Sequence, residues 1–208
     1  MGEVWAIVVA AGAGHRFGRA KQFEDLLGRR VLDWSLAAAT AACDGVVPVL
    51  PPDRLEPGAC AGRATRSGSV RAGLAAVPQS AAIIVVHDAA RPLASANLFA
   101  RVVAAIRDGA DAAIPVVPVS DTIKRVTGTR VEATLDRSSL VAVQTPQAFR
   151  AAALRQAHAG GEPEATDDAA LIEAMGGIVV TVDGERRNFK LTDPDDLIVA
   201  RALLQEPR

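Results

Sequence analysis

Ile7-Val8-Val9-Ala10-Ala11-Gly12-Ala13-Gly14-His15-Arg16-Phe17-Gly18, with Lys21 close behind, is the most informative stretch of the chain. An unbroken apolar segment runs into a loop of small residues, which then delivers Arg16 and Lys21. Small residues let backbone N–H groups come close to a nucleotide, and two nearby cations suit a polyphosphate. The stretch predicts a phosphate-binding turn that works on a nucleoside triphosphate, or else a plain tight turn between strand and helix. His15 falls in the same loop and is a candidate phosphate contact.

Outward from that loop, strands and helices alternate. Val4 to Ala10 reads as a strand buried on both faces. Leu32, Leu36 and Ala39 give Val31 to Cys43 a helical period, stopped at Asp44-Gly45. Val46 to Leu50 is a second strand, ended by Pro51-Pro52. Ser69 to Val77 reads as a short helix with Ser67 or Ser69 as its cap. Ile83 to His87 is again all apolar, and Ser95 caps a helix running to about Asp108. Ala112 to Val117 is a further strand. This order predicts an α/β fold, a Rossmann-like open, mostly parallel sheet with helices on both faces.

The rhythm breaks between Pro118 and Gln144. Thr122, Ile123 and Val126, then Val131, Ala133 and Leu135, flank a Thr127-Gly128-Thr129 turn and predict a β-hairpin. No helix follows to cover it, so residues 118–144 are expected to protrude as an arm that packs on a second subunit. Beyond it, Phe149 to Ala159 reads as a helix ended by Gly160-Gly161. Another starts at Thr166-Asp167 and stops at Gly176-Gly177. Ile178 to Val182 is a strand, and Pro194 opens a terminal helix. Without repeats or a dividing linker, 1–208 is expected to be a single domain.

Composition narrows the classes. Half of the 208 residues are hydrophobic, tyrosine is absent and aromatics are 3%, so the core is aliphatic. A formal charge of −1 gives no footprint for nucleic acid. No apolar run reaches the roughly 18 residues that span a bilayer, and no signal peptide is evident. Cys43 and Cys60 have no zinc spacing, and they read as reduced thiols of a cytoplasmic protein.

In open parallel sheets, ligands bind beyond the carboxyl ends of strands. The Gly12 to Lys21 loop falls there, as do Asp88 and Arg91 in His87-Asp88-Ala89-Ala90-Arg91-Pro92. Lys190 falls after a late extended segment. Asp88 is placed either to hold Mg²⁺, which takes one or two carboxylates plus phosphate oxygens, or to cap a turn. His87 completes an apolar strand and reads as a satisfied structural histidine.

Taken together, these motifs resemble the 2-C-methyl-D-erythritol 4-phosphate cytidylyltransferase family of the non-mevalonate isoprenoid pathway. The resemblance runs from about Val4 to Leu203. Besides the opening loop it rests on Lys21-Gln22-Phe23, Arg66-Ser67-Gly68-Ser69-Val70 and His87-Asp88-Ala89-Ala90-Arg91-Pro92. It continues in Asp121-Thr122-Ile123-Lys124, Gln144-Thr145-Pro146-Gln147, Thr166-Asp167-Asp168-Ala169 and Phe189-Lys190. It implies a fold of the nucleotide-diphospho-sugar transferase type, and CMP transfer from CTP to 2-C-methyl-D-erythritol 4-phosphate with release of pyrophosphate. By the same resemblance Ala10, Ala11, Gly12, Gly14, Gly62 and Ser69 hold the nucleotide. Arg16 and Lys21 neutralise the triphosphate, and Asp88 binds Mg²⁺. Arg91, Thr145, Thr166 and Lys190 hold the sugar phosphate, and Thr122 and Arg137 enter from the partner of a homodimer. On their own, Thr145 reads equally as a turn residue, Thr166 as a helix cap and Arg137 as a solvated arginine.

Val9 and Ala20 stand where relatives carry proline, and Ala64 where they often carry a polar or acidic residue. Competing substrates are ribitol 5-phosphate, molybdopterin and sugar 1-phosphates. A dinucleotide-dependent oxidoreductase fits less well, because Gly12, Gly14 and Gly18 are one residue too widely spaced for that fingerprint. A non-catalytic nucleotide sensor would have little use for Lys21, Asp88 and Lys190 together.

Overall fold

The computed structural model describes residues 2–12, 14, 17–160 and 167–206. The first strand, β1 (Val4–Val9), is followed by a small antiparallel ladder of β2 (Asp25–Leu26) and β3 (Arg29–Arg30). Then come α1 (Val31–Ala42), β4 (Gly45–Leu50), β5 (Cys60–Ala61), α2 (Arg66–Ala76), β6 (Ile83–Asp88), α3 (Ala96–Arg107) and β7 (Ala112–Pro118). The hairpin strands are β8 (Lys124–Thr127) and β9 (Arg130–Thr134). The chain continues through β10 (Val141–Val143), β11 (Gln147–Arg150), α4 (Ala151–Ala159), α5 (Ala169–Ala174), β12 (Val179–Asp183) and α6 (Asp195–Gln205). His15 and Gly161 lie outside the described residues.

The main sheet has the order β10-β7-β11-β6-β1-β4-β5, with β12 also on β7. β1 pairs in parallel with β4 and β6, β4 with β5, and β12 with β7. Alternate side chains of the central strands serve opposite faces, as a strand's period of two requires. Ala6, Val8 and Val85 pack with Leu32, Ala39, Phe99 and Val102 from α1 and α3. Ile7, Val49, Ile84 and Val86 pack with Val70, Leu74, Leu154 and Ile172 from α2, α4 and α5. Helices therefore cover both faces. α6 closes a smaller cluster, in which Leu197 and Ala200 meet Phe17, Leu26, Val31 and Leu191.

Two local expectations are corrected. Phe149 does not open a helix. It is fully buried in β11, paired with Ile84 and Ala112, and the helix begins at Ala151. A four-residue strand beside an alanine-rich helix is too short to show its own period, so it reads as the helix's first turn. This strand lies antiparallel between β6 and β7, and β10 is also antiparallel to β7. Neither Ser67 nor Ser69 caps α2. The cap is Thr65, whose Oγ1 accepts from Gly68 N at 3.0 Å, and both serines lie inside the helix. The Ser95 cap of α3 holds, with Oγ accepting from Leu98 N at 3.1 Å.

The hairpin forms a two-stranded sheet of its own, and Gly128 takes the turn at φ 59°. Its strands are exposed along almost their whole length, with Val126 53% and Val131 56% accessible.

Candidate active site

A cleft of about 580 Å³ opens beyond the carboxyl ends of β1 and β6. Ala10, Ala11, Gly12, Gly14, Lys21, Ser69, Asp88 and Lys190 all line it, together with Gln22, Arg63 and Arg66. Most of the residues singled out in the sequence are therefore on one surface. Its size suits a nucleotide.

The floor is built by the loop after β1. Gln22 is buried, and its Nε2 donates to Ala10 O at 2.6 Å and Gly12 O at 3.0 Å. One amide thus satisfies two carbonyls and fixes the loop's course. Gly14 sits at φ +72°, and a Cβ there would lie 2.0 Å from Arg19 O, so the tight turn needs glycine. Gly62 is required for a different reason: a Cβ on it would lie 2.2 Å from Ala11 Cβ. The segment before α2 can approach the loop only because that side chain is missing. Ser69 Oγ accepts from Arg63 N at 2.9 Å and donates to Thr65 O at 3.0 Å, which shapes the same wall.

Asp88, at the end of β6, faces the cleft with its carboxylate between two cations. Oδ2 accepts from Lys190 Nζ at 2.6 Å, and Oδ1 lies 3.4 Å from Arg66 Nε. Burial pushes the carboxyl up, but Arg66 and then Lys190 outweigh it and hold it well below the usual carboxylate range. Arg66 also donates from Nη1 to Asp168 Oδ2 at 2.7 Å. Asp168 in turn accepts from His158 Nε2 at 2.9 Å.

Behind Asp88 lies a second layer of bonds. Thr145 Oγ1 accepts from Asp88 N at 3.0 Å and lies 3.2 Å from His87 Nδ1, to which it donates because the other ring nitrogen faces a carbonyl that can only accept. Nε2 of His87 carries the ring hydrogen and donates it to Arg91 O at 3.3 Å. Burial pushes the His87 imidazolium down to about 4, and nearby Asp88 offsets only part of this. The ring should stay neutral from about pH 8 to about 5.5, where an ordinary histidine gains its proton. An NMR titration in which the His87 ring signals inflect near 6.5, its unperturbed value, would contradict this assignment.

Arg91 donates from Nη1 to Asn188 O at 2.8 Å and from Nη2 to Val143 O at 3.4 Å. It thereby ties the segment before Lys190 to β10. Asn188 is fully buried, and its Nδ2 donates to Thr145 O at 2.9 Å. Arg91 and Thr145 thus stand behind Asp88. Thr122 and Arg137 are exposed residues of the hairpin segment, away from this cleft's lining, and Arg137 donates to Ser120 O. Arg16 and Thr166 lie outside the described residues.

Sequence reasoning gave no role to Gln22, Arg66, His158, Asp168 or Asn188. Gln22, Arg66 and Asp168 sit inside the quoted motifs, so their neighbours were the available signal. His158 reads as one more residue of an alanine-rich helix, and only its closeness to Asp168 marks it out.

The chain matches the family model of the 2-C-methyl-D-erythritol 4-phosphate cytidylyltransferases over residues 4–206. It is similar to the protein of that name from Rubrobacter xylanophilus, 44% identical over 220 residues, covering 96% of this chain and 94% of the relative. Its counterpart in Rhodococcus opacus is 47% identical over 219 residues, covering 99% and 96%. Among solved structures, the Thermus thermophilus cytidylyltransferase superposes with a TM-score of 0.83 at 38% identity, covering 96% of this chain and 98% of that one.

Proposed function

The chain belongs to the 2-C-methyl-D-erythritol 4-phosphate cytidylyltransferase family, and from that premise we propose how its residues divide the work. The enzyme transfers CMP from CTP to 2-C-methyl-D-erythritol 4-phosphate, giving 4-diphosphocytidyl-2-C-methyl-D-erythritol and pyrophosphate. An oxygen of the alcohol phosphate attacks the α-phosphorus of CTP, and the bond to the β-phosphate breaks. A phosphomonoester is already a nucleophile near neutral pH, so the site needs no general base. It must align two anions and stabilise charge as pyrophosphate leaves.

The observation that carries the assignment is the cleft itself, where a small-residue loop, Lys21 and the Asp88–Lys190 pair converge. The loop from Ala10 to Gly14, with Gly62 and Ser69, receives the nucleotide. Lys21 and Arg16 neutralise the triphosphate. Lys190, Arg91, Thr145 and Thr166 hold or position the alcohol phosphate. Offering CTP, UTP, ATP or dTTP with Mg²⁺ and either methylerythritol phosphate or ribitol phosphate, while following pyrophosphate release, tests the reading. Preference for ribitol phosphate would overturn it.

Asp88 is the only carboxylate lining the cleft among the described residues, and no group of three or more metal-ligating side chains converges among them. That donor set fits Mg²⁺, which is content with one carboxylate plus substrate oxygens. Asp88 would hold Mg²⁺ once Lys190 leaves its Oδ2, and the ion would supply positive charge to the triphosphate. Cys43 and Cys60 are both unpaired, in keeping with the cytoplasmic setting we propose. Among the described residues no helix is long and apolar enough to cross a membrane.

Replacing Lys190 by alanine should raise the KM for the alcohol phosphate by about tenfold or more, the scale of one charge-assisted hydrogen bond. CTP affinity should change little. A calorimetric titration in which Lys190→Ala loses CTP binding would place that lysine on the triphosphate instead.

Within residues 118–144, Val141–Val143 returns to the main sheet as β10, and the hairpin segment before it is read as the arm of a two-fold dimer that lends Thr122 and Arg137 to the neighbouring site. Support comes from the hairpin's separate sheet and its exposed Val126 and Val131. Mixing inactive Lys21→Ala and Arg137→Ala proteins under subunit exchange should restore up to about a quarter of wild-type activity, because one site of each mixed dimer escapes both lesions. A confirmed mixed dimer that stays inactive would overturn the shared site.

A further inference from the structure

Arg66 is seated more firmly on Asp168 than on Asp88. Its Nη1 lies 2.7 Å from Asp168 Oδ2, whereas its Nε lies 3.4 Å from Asp88 Oδ1. Asp88's short contact is instead with Lys190, at 2.6 Å, and the Lys190 side chain is 39% exposed. Asp168 is almost wholly buried, its side chain 1% exposed, and both its oxygens are used. Oδ2 takes Arg66, and Oδ1 takes Nε2 of His158, itself only 3% exposed. Three separate elements are joined here: Arg66 opens α2, His158 lies on α4, and Asp168 precedes α5.

A buried ion pair is a poor source of stability compared with well-packed apolar residues, but its geometry is well defined. The guanidinium is a planar fork, and fixing one edge fixes where the other points. With one edge on Asp168, the other is aimed at Asp88. Lys190, partly exposed and single-pronged, is the cation on Asp88 with freedom to move.

We propose that Asp168 and His158 are positioning residues that act through Arg66 on Asp88, holding that carboxylate in place while Lys190 turns to the substrate phosphate. This rests on the reading of the site given above. No bond is made or broken by the relay.

The test is a double-mutant cycle on the full-length enzyme, read as steady-state pyrophosphate release from CTP with methylerythritol phosphate. Asp168→Asn should lower kcat by about tenfold while the KM for CTP changes little. In an Asp88→Asn background the same substitution should cost less than about twofold, because the group it acts on is gone. His158→Gln, which keeps a donor facing Asp168, should retain more turnover than His158→Leu. If Asp168→Asn does not fold, Arg66→Lys takes its place in the cycle, since one ammonium cannot serve both carboxylates in a fork.

A tenfold loss repeated in the Asp88→Asn background would show that Asp168 works independently, and wild-type turnover in Asp168→Asn would show that it does not work at all. Either overturns the inference while the wild-type enzyme remains active. Absence of pyrophosphate release from the wild type would overturn the reading of the site and the relay with it.

Discussion

Lys21→Ala is expected to lower kcat by about 10²-fold or more, the loss measured when one electrostatic donor is removed from a transition state. Lys21 lines the cleft on the short turn Lys21–Phe23, directly before the clamped Gln22. Charge on the transferring phosphoryl region grows mainly in the transition state, so the loss belongs in kcat more than in substrate affinity. Arg16→Ala is expected to behave alike. Steady-state kinetics at saturating CTP decide the matter: a variant that keeps nearly wild-type kcat removes that residue from the role.

Asp88→Asn is the second large effect. Asparagine keeps the size and one acceptor oxygen but lacks the charge that a hard cation favours. It also leaves Lys190 and Arg66 without their shared counter-ion. Turnover at ordinary Mg²⁺ should fall by about 10²-fold, with the far-UV spectrum unchanged. Calorimetric titration with Mg²⁺ and CTP supplies the independent reading. Full activity with an unaltered metal titration would make Asp88 a structural turn residue.

Much of this molecule was legible in its residues, and the exceptions have physical causes. β1, β4, β6 and β7 announce themselves because strands buried on both faces must be continuously apolar. That Gly12, Gly14 and Lys21 line one cleft was legible because they follow the carboxyl end of β1, where an open parallel sheet places its ligand sites. β11 was hidden because four residues carry too little periodicity against a neighbouring helix. The α2 cap was misplaced because Thr65, Ser67 and Ser69 are all good caps, and only the backbone shows which hydroxyl meets a free N–H. The partners of Asp88 were the hardest to see. Arg66 and Lys190 are far from it in sequence, and no local rule joins residues that the sheet brings together.

The Lys190–Asp88 contact also bears on selectivity. A stray anion such as inorganic phosphate meets a lysine that already has a counter-ion, and it must displace one attraction to gain another. Its net reward is small. If Lys190 serves the alcohol phosphate as proposed, a substrate with polyol contacts of its own would have further interactions with which to win the lysine over. Discrimination then comes from the cost set against the wrong ligand as much as from the fit of the right one. The resting ion pair thus guards this one lysine against simple anions, while other cations line the cleft that a triphosphate would enter.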